Sequence, residues 1–315
     1  AVAGPDALQA LQWICAADVD VPVGRCVYTP FLNGRGTYEA DLTVTRSGPE
    51  EFVLVSSSAT TVRDLDWLRR HSAGLDVTIT DTTDATSVIG VMGPSSRTLL
   101  SRLGGADAWE AAFASSTVVR LAGVEVRATR MTYVGELGWE LMVAVADATA
   151  LYDAVKAAGA DLGVVDAGYH AIEALRLEKG YRAFGRELTP DLTPVEAGLV
   201  FATALATGGD FLGRDALSAH RAALALGGPR RRLVSFVSAS PEPMLWGGEL
   251  LLRDGRPCGQ VTSAAWGATV GAAVGLAYLR SETVVTSDDL ARGGFQVDLA
   301  GELVDVRLSL RAPLA

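Results

Sequence analysis

At 315 residues the chain exceeds what one hydrophobic core usually organises, so two or three subdomains are expected, and its composition, about half hydrophobic and a fifth charged, is that of a globular enzyme. A formal charge of −10 argues against nucleic acid as a partner, because phosphate binding needs clustered Lys and Arg. Three cysteines without CxxC spacing and three histidines without metal-pair spacing give neither a disulfide framework nor a zinc site, which fits the cytoplasm or a mitochondrial matrix.

The chain opens without Met at Ala1-Val2-Ala3-Gly4-Pro5 and runs straight into a helical pattern over 6–16 that Asp6 could cap. That start reads as the interior of a longer polypeptide. The turn Asn33-Gly34-Arg35-Gly36 then feeds a strand, Glu39–Arg46, whose apolar set is 40, 42 and 44 and whose polar set is 39, 41, 43 and 45. A half-buried antiparallel strand has that period. Glu39 and Asp41 on its polar face are either solvated or aimed into a pocket, where one could handle a proton or a developing cation.

Strands follow at Glu51–Ser57, Asp76–Thr80 and Ser87–Met92, with helices at 60–71 (Thr60 or Thr61 as cap) and 94–103. Strands Val124–Met131 and Trp139–Val145 are joined through Gly135 and Gly138, with Glu136 held between them. This is either a surface hairpin or a fixed carboxylate that accepts two parallel hydrogen bonds from a planar amidine-like edge. Helices at 147–159 and 168–179 come next, the second ending at Gly180. Arg176 lies one turn beyond Ile172, so its guanidinium could pair with Glu136, with a ligand, or with Glu173 on the same helix.

A helix at 213–226 lies between Gly208-Gly209 and Gly227-Gly228-Pro229. The run Arg230-Arg231-Arg232 reads as a solvated turn. Beyond it only strands are expected: Arg232–Ser238, Glu249–Arg253, Gln260–Ala264, Val270–Leu279 and Leu303–Leu310. The uncharged stretch Pro257–Leu279 carries Gly267, Gly271 and Gly275 at membrane-helix spacing. It is rich in Gly, Ala and Thr rather than Leu, so it reads as two buried strands around a Gly turn and not as a membrane span. No strand–GxGxxG–helix unit, P-loop or GxSxG elbow is present, so flavin or nicotinamide binding by this segment alone is not expected.

Several motifs together resemble the folate-binding aminomethyltransferase family, which includes the glycine-cleavage T-protein. They look closest to the C-terminal folate domains of dimethylglycine and sarcosine dehydrogenases. The matching stretches are Tyr-Thr-Pro-Phe-Leu-Asn-x-Arg-Gly…Asp-Leu-Thr-Val-Thr-Arg (28–46), Gly-Val-Met-Gly-Pro-x-Ser-Arg (90–97), Tyr-Val-Gly-Glu-Leu-Gly-Trp-Glu (133–140) and Leu-Arg-Leu-Glu-Lys-Gly-Tyr-Arg (175–182). Thr-Pro-x-Glu-Ala-Gly-Leu (193–199), Phe-Leu-Gly-Arg-Asp-Ala-Leu (211–217), Gly-Gly-Glu (247–249) and Gly-x-Val-Thr-Ser (259–263) continue the match in order.

The resemblance implies an α+β fold: a three-subdomain cloverleaf with antiparallel sheets flanked by helices and tetrahydrofolate in a central channel. Two interleaved folate-binding subdomains would span 1–228 and an all-β, barrel-like domain 229–315. It makes Asp41 the catalytic aspartate near N10 of the folate and Glu136 the carboxylate that grips the pterin, with Tyr28, Tyr133, Arg176 and Phe184 lining the pocket. Phe184 stands where relatives often carry Trp or Tyr, Arg186 where His is common, and Trp266 and Ala268 in a stretch that usually reads Tyr-Gly-His.

Three readings follow. The chain is the folate half of an amine dehydrogenase or oxidase that forms 5,10-methylenetetrahydrofolate, with a flavin domain in cis or on another subunit supplying an iminium. Alternatively it is a free-standing folate-dependent demethylase or methyltransferase acting on a small amine or methyl donor. The third reading is a non-catalytic regulatory subunit of the same fold.

Overall fold

The computed structural model describes residues 1–227, 231–240 and 243–314. Arg230 of the basic run and the Gly228-Pro229 part of the turn before it lie outside them. The chain forms two compact units, one of Ala1–Thr29 with Leu42–Ala167, the other of Pro30–Asp41 with Gly168–Ala315.

The first unit opens with β1 (Val2–Ala3) and α1 (Ala7–Ile14), followed by β2 (Cys26–Leu32) and β3 (Tyr38–Gly48), two strands that each carry the chain across a unit boundary. β4 (Glu51–Val55), α2 (Thr61–His71) and β5 (Thr78–Ile79) complete a sheet of order β2-β3-β4-β1-β5. A second sheet, β6-β9-β8-β7, is built from β6 (Thr86–Met92), β7 (Ser116–Leu121), β8 (Val124–Thr129) and β9 (Gly138–Ala144), with α3 (Ser96–Leu103) and α4 (Ala148–Ala158) against it. Its inward residues, Val126, Leu141 and Val143, meet Leu100 and Leu151 of the helices. At the centre Trp109 and Trp139 pack edge to face, ring centroids 5.4 Å apart, as aromatic quadrupoles favour.

The second unit carries α5 (Tyr169–Glu178), the short α6 (Pro194–Ala197), α7 (Arg214–Ala225) and a six-stranded closed barrel. The barrel consists of β10 (Arg231–Ser238), β11 (Leu250–Arg253), β12 (Arg256–Gly267), β13 (Ala272–Arg280), β14 (Phe295–Leu299) and β15 (Glu302–Ser309), in order β10-β13-β12-β11-β14-β15. Closure leaves no sheet edge unpaired. Pro257–Leu279 is therefore the β12–β13 hairpin turning at Gly271 (φ +73), as its composition predicts. Gly275 is required by close packing: a Cβ there would sit 2.4 Å from the Ser263 carbonyl oxygen and 2.5 Å from the buried Phe236 ring.

Four expectations need correction. Asp6 does not cap α1; its carboxylate accepts the Asp76 N–H at 2.8 Å. Thr60 does not cap α2, because its hydroxyl donates to Asp64 at 2.8 Å. Arg231 and Arg232 are not a solvated turn but the start of β10: Arg231 pairs with Glu196 at 2.8 Å and Arg232 donates to the Val195 carbonyl at 2.6 Å. Nor is the tail all strand. α8 (Ser287–Ala291) interrupts it, capped by Thr286, whose hydroxyl accepts the Asp289 N–H at 3.1 Å.

Candidate active site

In the second unit, the turn before β3 is organised by Asn33. Its Nδ2 donates to Thr37 Oγ1 and to Glu39 Oε1, both at 2.8 Å, and its Oδ1 accepts the Arg35 N–H at 2.9 Å. Gly36 adopts φ +72, and a Cβ on it would press within 2.8 Å of the Leu217 nitrogen on α7. Of the two carboxylates on the polar face of β3, Glu39 is thus committed to the turn. Asp41, two residues on, is half-buried, and its charge reaches the phenol of buried Tyr38. Burial first, then Tyr278 and Asp41, hold that phenol well above its ordinary pKa, so it stays protonated at neutral pH.

Arg176 on α5 has no exposed surface, and all five of its N–H groups are engaged within the unit. Nε and Nη2 donate to the Glu173 carboxylate at 3.2 and 2.6 Å, Nη1 to the Tyr181 carbonyl at 2.7 Å and Glu187 at 2.9 Å, and Nη2 also to Ser263 at 2.8 Å. Of the pairings open from the sequence, the one with Glu173 is formed. Glu187, equally buried, accepts from Thr262 and Ser263 at 2.6 Å each and from the Ala183 N–H at 2.9 Å. Arg176 and Glu187 together pin the 181–188 loop, which presents half-buried Phe184 and closes on itself through a Phe184–Leu188 bridge.

In the first unit, Glu136 is exposed on the bend between β8 and β9. Three constraints fix that bend. Gly135 takes φ +78, the Leu137 carbonyl accepts both the Gly93 N–H at 2.8 Å and the Ser96 hydroxyl at 3.0 Å, and a Cβ on Gly138 would meet Met92 Cγ at 2.6 Å. The Gly-Val-Met-Gly-Pro-x-Ser-Arg stretch is therefore the clamp behind Glu136. Tyr133 lies on the same bend, 37% exposed, and Tyr28 is half-buried on β2.

Two carboxylates escaped the sequence reading. Glu187 was visible only as one more acidic residue in a loop. Glu140, on β9, lines a small cleft with Cys26, Thr43, Thr45, Arg127 and Thr129, and burial raises its pKa. Alternation with the core-facing Trp139 and Leu141 puts Glu140 on the opposite face of β9, so nothing in the sequence signalled that a cleft lies there.

The family model for the GCVT N-terminal domain matches residues 1–207, and that for the glycine cleavage T-protein C-terminal barrel domain matches residues 231–314. The chain is 38% identical over 312 residues to 4-methylaminobutanoate oxidase (formaldehyde-forming) of Paenarthrobacter nicotinovorans, covering 98% of this chain and 37% of the relative. It is 37% identical over 331 residues to mitochondrial sarcosine dehydrogenase of Mus musculus, covering 98% of this chain and 35% of the relative. The chain thus spans about a third of the length of these relatives. Among solved structures, the glycine cleavage system aminomethyltransferase T from Bartonella henselae superposes with a TM-score of 0.84 at 25% identity, covering all of this chain and 82% of the other.

Proposed function

Because the chain belongs to the glycine-cleavage T-protein (aminomethyltransferase) family, we propose that it takes a methylene unit from an amine-derived iminium and delivers it to tetrahydrofolate, forming 5,10-methylenetetrahydrofolate. The observation that carries this reading is the Glu136 bend: an exposed carboxylate on a backbone held by a left-handed glycine and by the 92–96 stretch behind it. A carboxylate is acceptor-only, and its two oxygens match the N–H and amino edge of a pterin. Tetrahydrofolate, when bound, supplies the nucleophilic nitrogens that receive the one-carbon unit.

Glu136 would hold the pterin by accepting those two hydrogen bonds. Asp41, on the same strand as the committed Glu39, would stabilise positive charge and take the proton given up by the folate, the donor amine leaving as the free amine. Tyr133 and Tyr28, in the same unit as Glu136, would offer apolar faces to the ring system. Arg176 serves at one remove, holding the Phe184 loop through Glu187 and Tyr181. Both relatives named above act, by their names, on secondary N-methylamines, whose two-electron oxidation yields an N-methylene iminium. We therefore assign the same donor class here, generated by a flavin-containing segment or subunit.

Single-turnover formation of methylenetetrahydrofolate, with formaldehyde and dimethylamine as the iminium source, tests the assignment. The wild type should exceed the uncatalysed rate, and Asp41→Asn should lose roughly a hundredfold or more of the excess while still binding tetrahydrofolate. A wild-type rate no faster than buffer would overturn it.

A further inference from the structure

We propose that Met92 is a redox-sensitive latch on the 132–138 bend of the first unit: hydrogen peroxide converts its thioether to the sulfoxide and thereby releases the bend, whatever ligand the bend holds. Met92 ends β6 directly opposite Gly138, the first residue of β9. Its Sδ accepts a hydrogen bond from the Thr132 hydroxyl at 3.6 Å, and the same hydroxyl oxygen accepts the Val134 N–H at 3.2 Å. The sulfur is therefore the far end of a two-bond chain that runs into the backbone of the bend.

Towards β9 the side chain has no spare room. A Cβ on Gly138 would stand 2.6 Å from Met92 Cγ and 3.1 Å from Met92 Cβ. The other end is open. The Met92 methyl carbon lies over Gly90, an exposed residue, 3.6 Å from where a Cβ would stand there, and Met92 itself is only partly buried. A small oxidant can approach from that side.

The thioether gives two electrons to the peroxide: its O–O bond breaks, one oxygen bonds to sulfur and the other leaves as water. An apolar, adaptable side chain thus becomes a polar, bulkier one and a stronger acceptor. The new oxygen has no space beneath Gly138, so it projects outward and draws the Thr132 hydroxyl away from the Val134 N–H. The neighbouring tie, in which the Leu137 carbonyl accepts the Gly93 N–H at 2.8 Å, starts one residue beyond Met92 and loosens with it.

Treatment of the whole chain with graded hydrogen peroxide tests the latch, with peptide mass spectrometry following each of the four methionines and amide hydrogen exchange following the bend. Met244, 77% exposed, marks exposure to the oxidant. Exchange at Val134 and Gly93 should quicken by roughly tenfold or more in step with Met92 sulfoxide, and methionine sulfoxide reductase should reverse it. Met92→Leu keeps the volume without the sulfur, so its exchange, compared with its own untreated sample, should not respond although the other three methionines remain. Reversal by the reductase in the wild type gives the readout if that variant fails to fold. Met92 left unoxidised once Met244 is fully converted, unchanged exchange in the Met92 sulfoxide, or an equal response in Met92→Leu would each overturn the proposal.

Discussion

Arg176 and Glu187 show how a charge can be buried at tolerable cost: each is fully enclosed, 2.9 Å from the other, with hydroxyl and backbone groups completing both. Removing one partner leaves the other charged and desolvated, so Arg176→Ala should destabilise the protein by about 3–5 kcal/mol, read as a lowered urea midpoint. Arg176→Lys should recover little of this, because a single ammonium cannot reach acceptors on Glu173, Glu187 and Ser263 together.

Glu140 gives a pH-dependent counterpart. Burial raises its folded pKa above the ordinary 4.5, so its protonated form is favoured on folding. Its contribution is complete below that ordinary value and is lost as pH rises through the folded pKa. Glu140→Gln should therefore gain thermal stability over the wild type as pH increases from acid to neutral, with no advantage in acid. A constant difference across the range would show that burial does not govern this carboxylate.

At the scale of elements, strands and helices with long, clean periodicity were legible, and short or punctuated ones were not. The alternation of residues 39–45 placed β3, and the Gly-rich 257–279 stretch resolved into β12 and β13. β2 was missed because Pro30 interrupts its pattern, and α8 because five residues hold barely one turn, although Thr286 before Ser-Asp-Asp was a readable cap. The sequence also showed Gly135 and Gly138 around Glu136 but not why Gly138 is needed. That reason, the approach of Met92 from β6, is a tertiary contact with no local signature. Gly138→Ala should displace the bend, lowering the melting temperature and weakening tetrahydrofolate binding together; wild-type affinity in a folded variant would show that the bend does not set the Glu136 position.

For the molecule as a whole, the α+β class, the aminomethyltransferase-type fold and the C-terminal barrel were readable from ordered motifs spread along the chain. The motifs singled out Asp41 and Glu136 as candidates but not the residues that support them. Residue spacing does not distinguish Glu39, tied to Asn33, from Asp41, or reveal that Arg176 turns its charge inward to Glu187. Both ties are short in sequence but run across turns, whose geometry the periodicity of the flanking elements does not give. Calorimetric titration with tetrahydrofolate measures the proposed grip of Glu136 on a reduced pterin. Saturable binding is predicted for the wild type, with loss of roughly tenfold or more in Glu136→Ala and little change in Asp41→Ala. Equal affinity in wild type and Glu136→Ala, or no binding by the wild type at millimolar ligand, would contradict it.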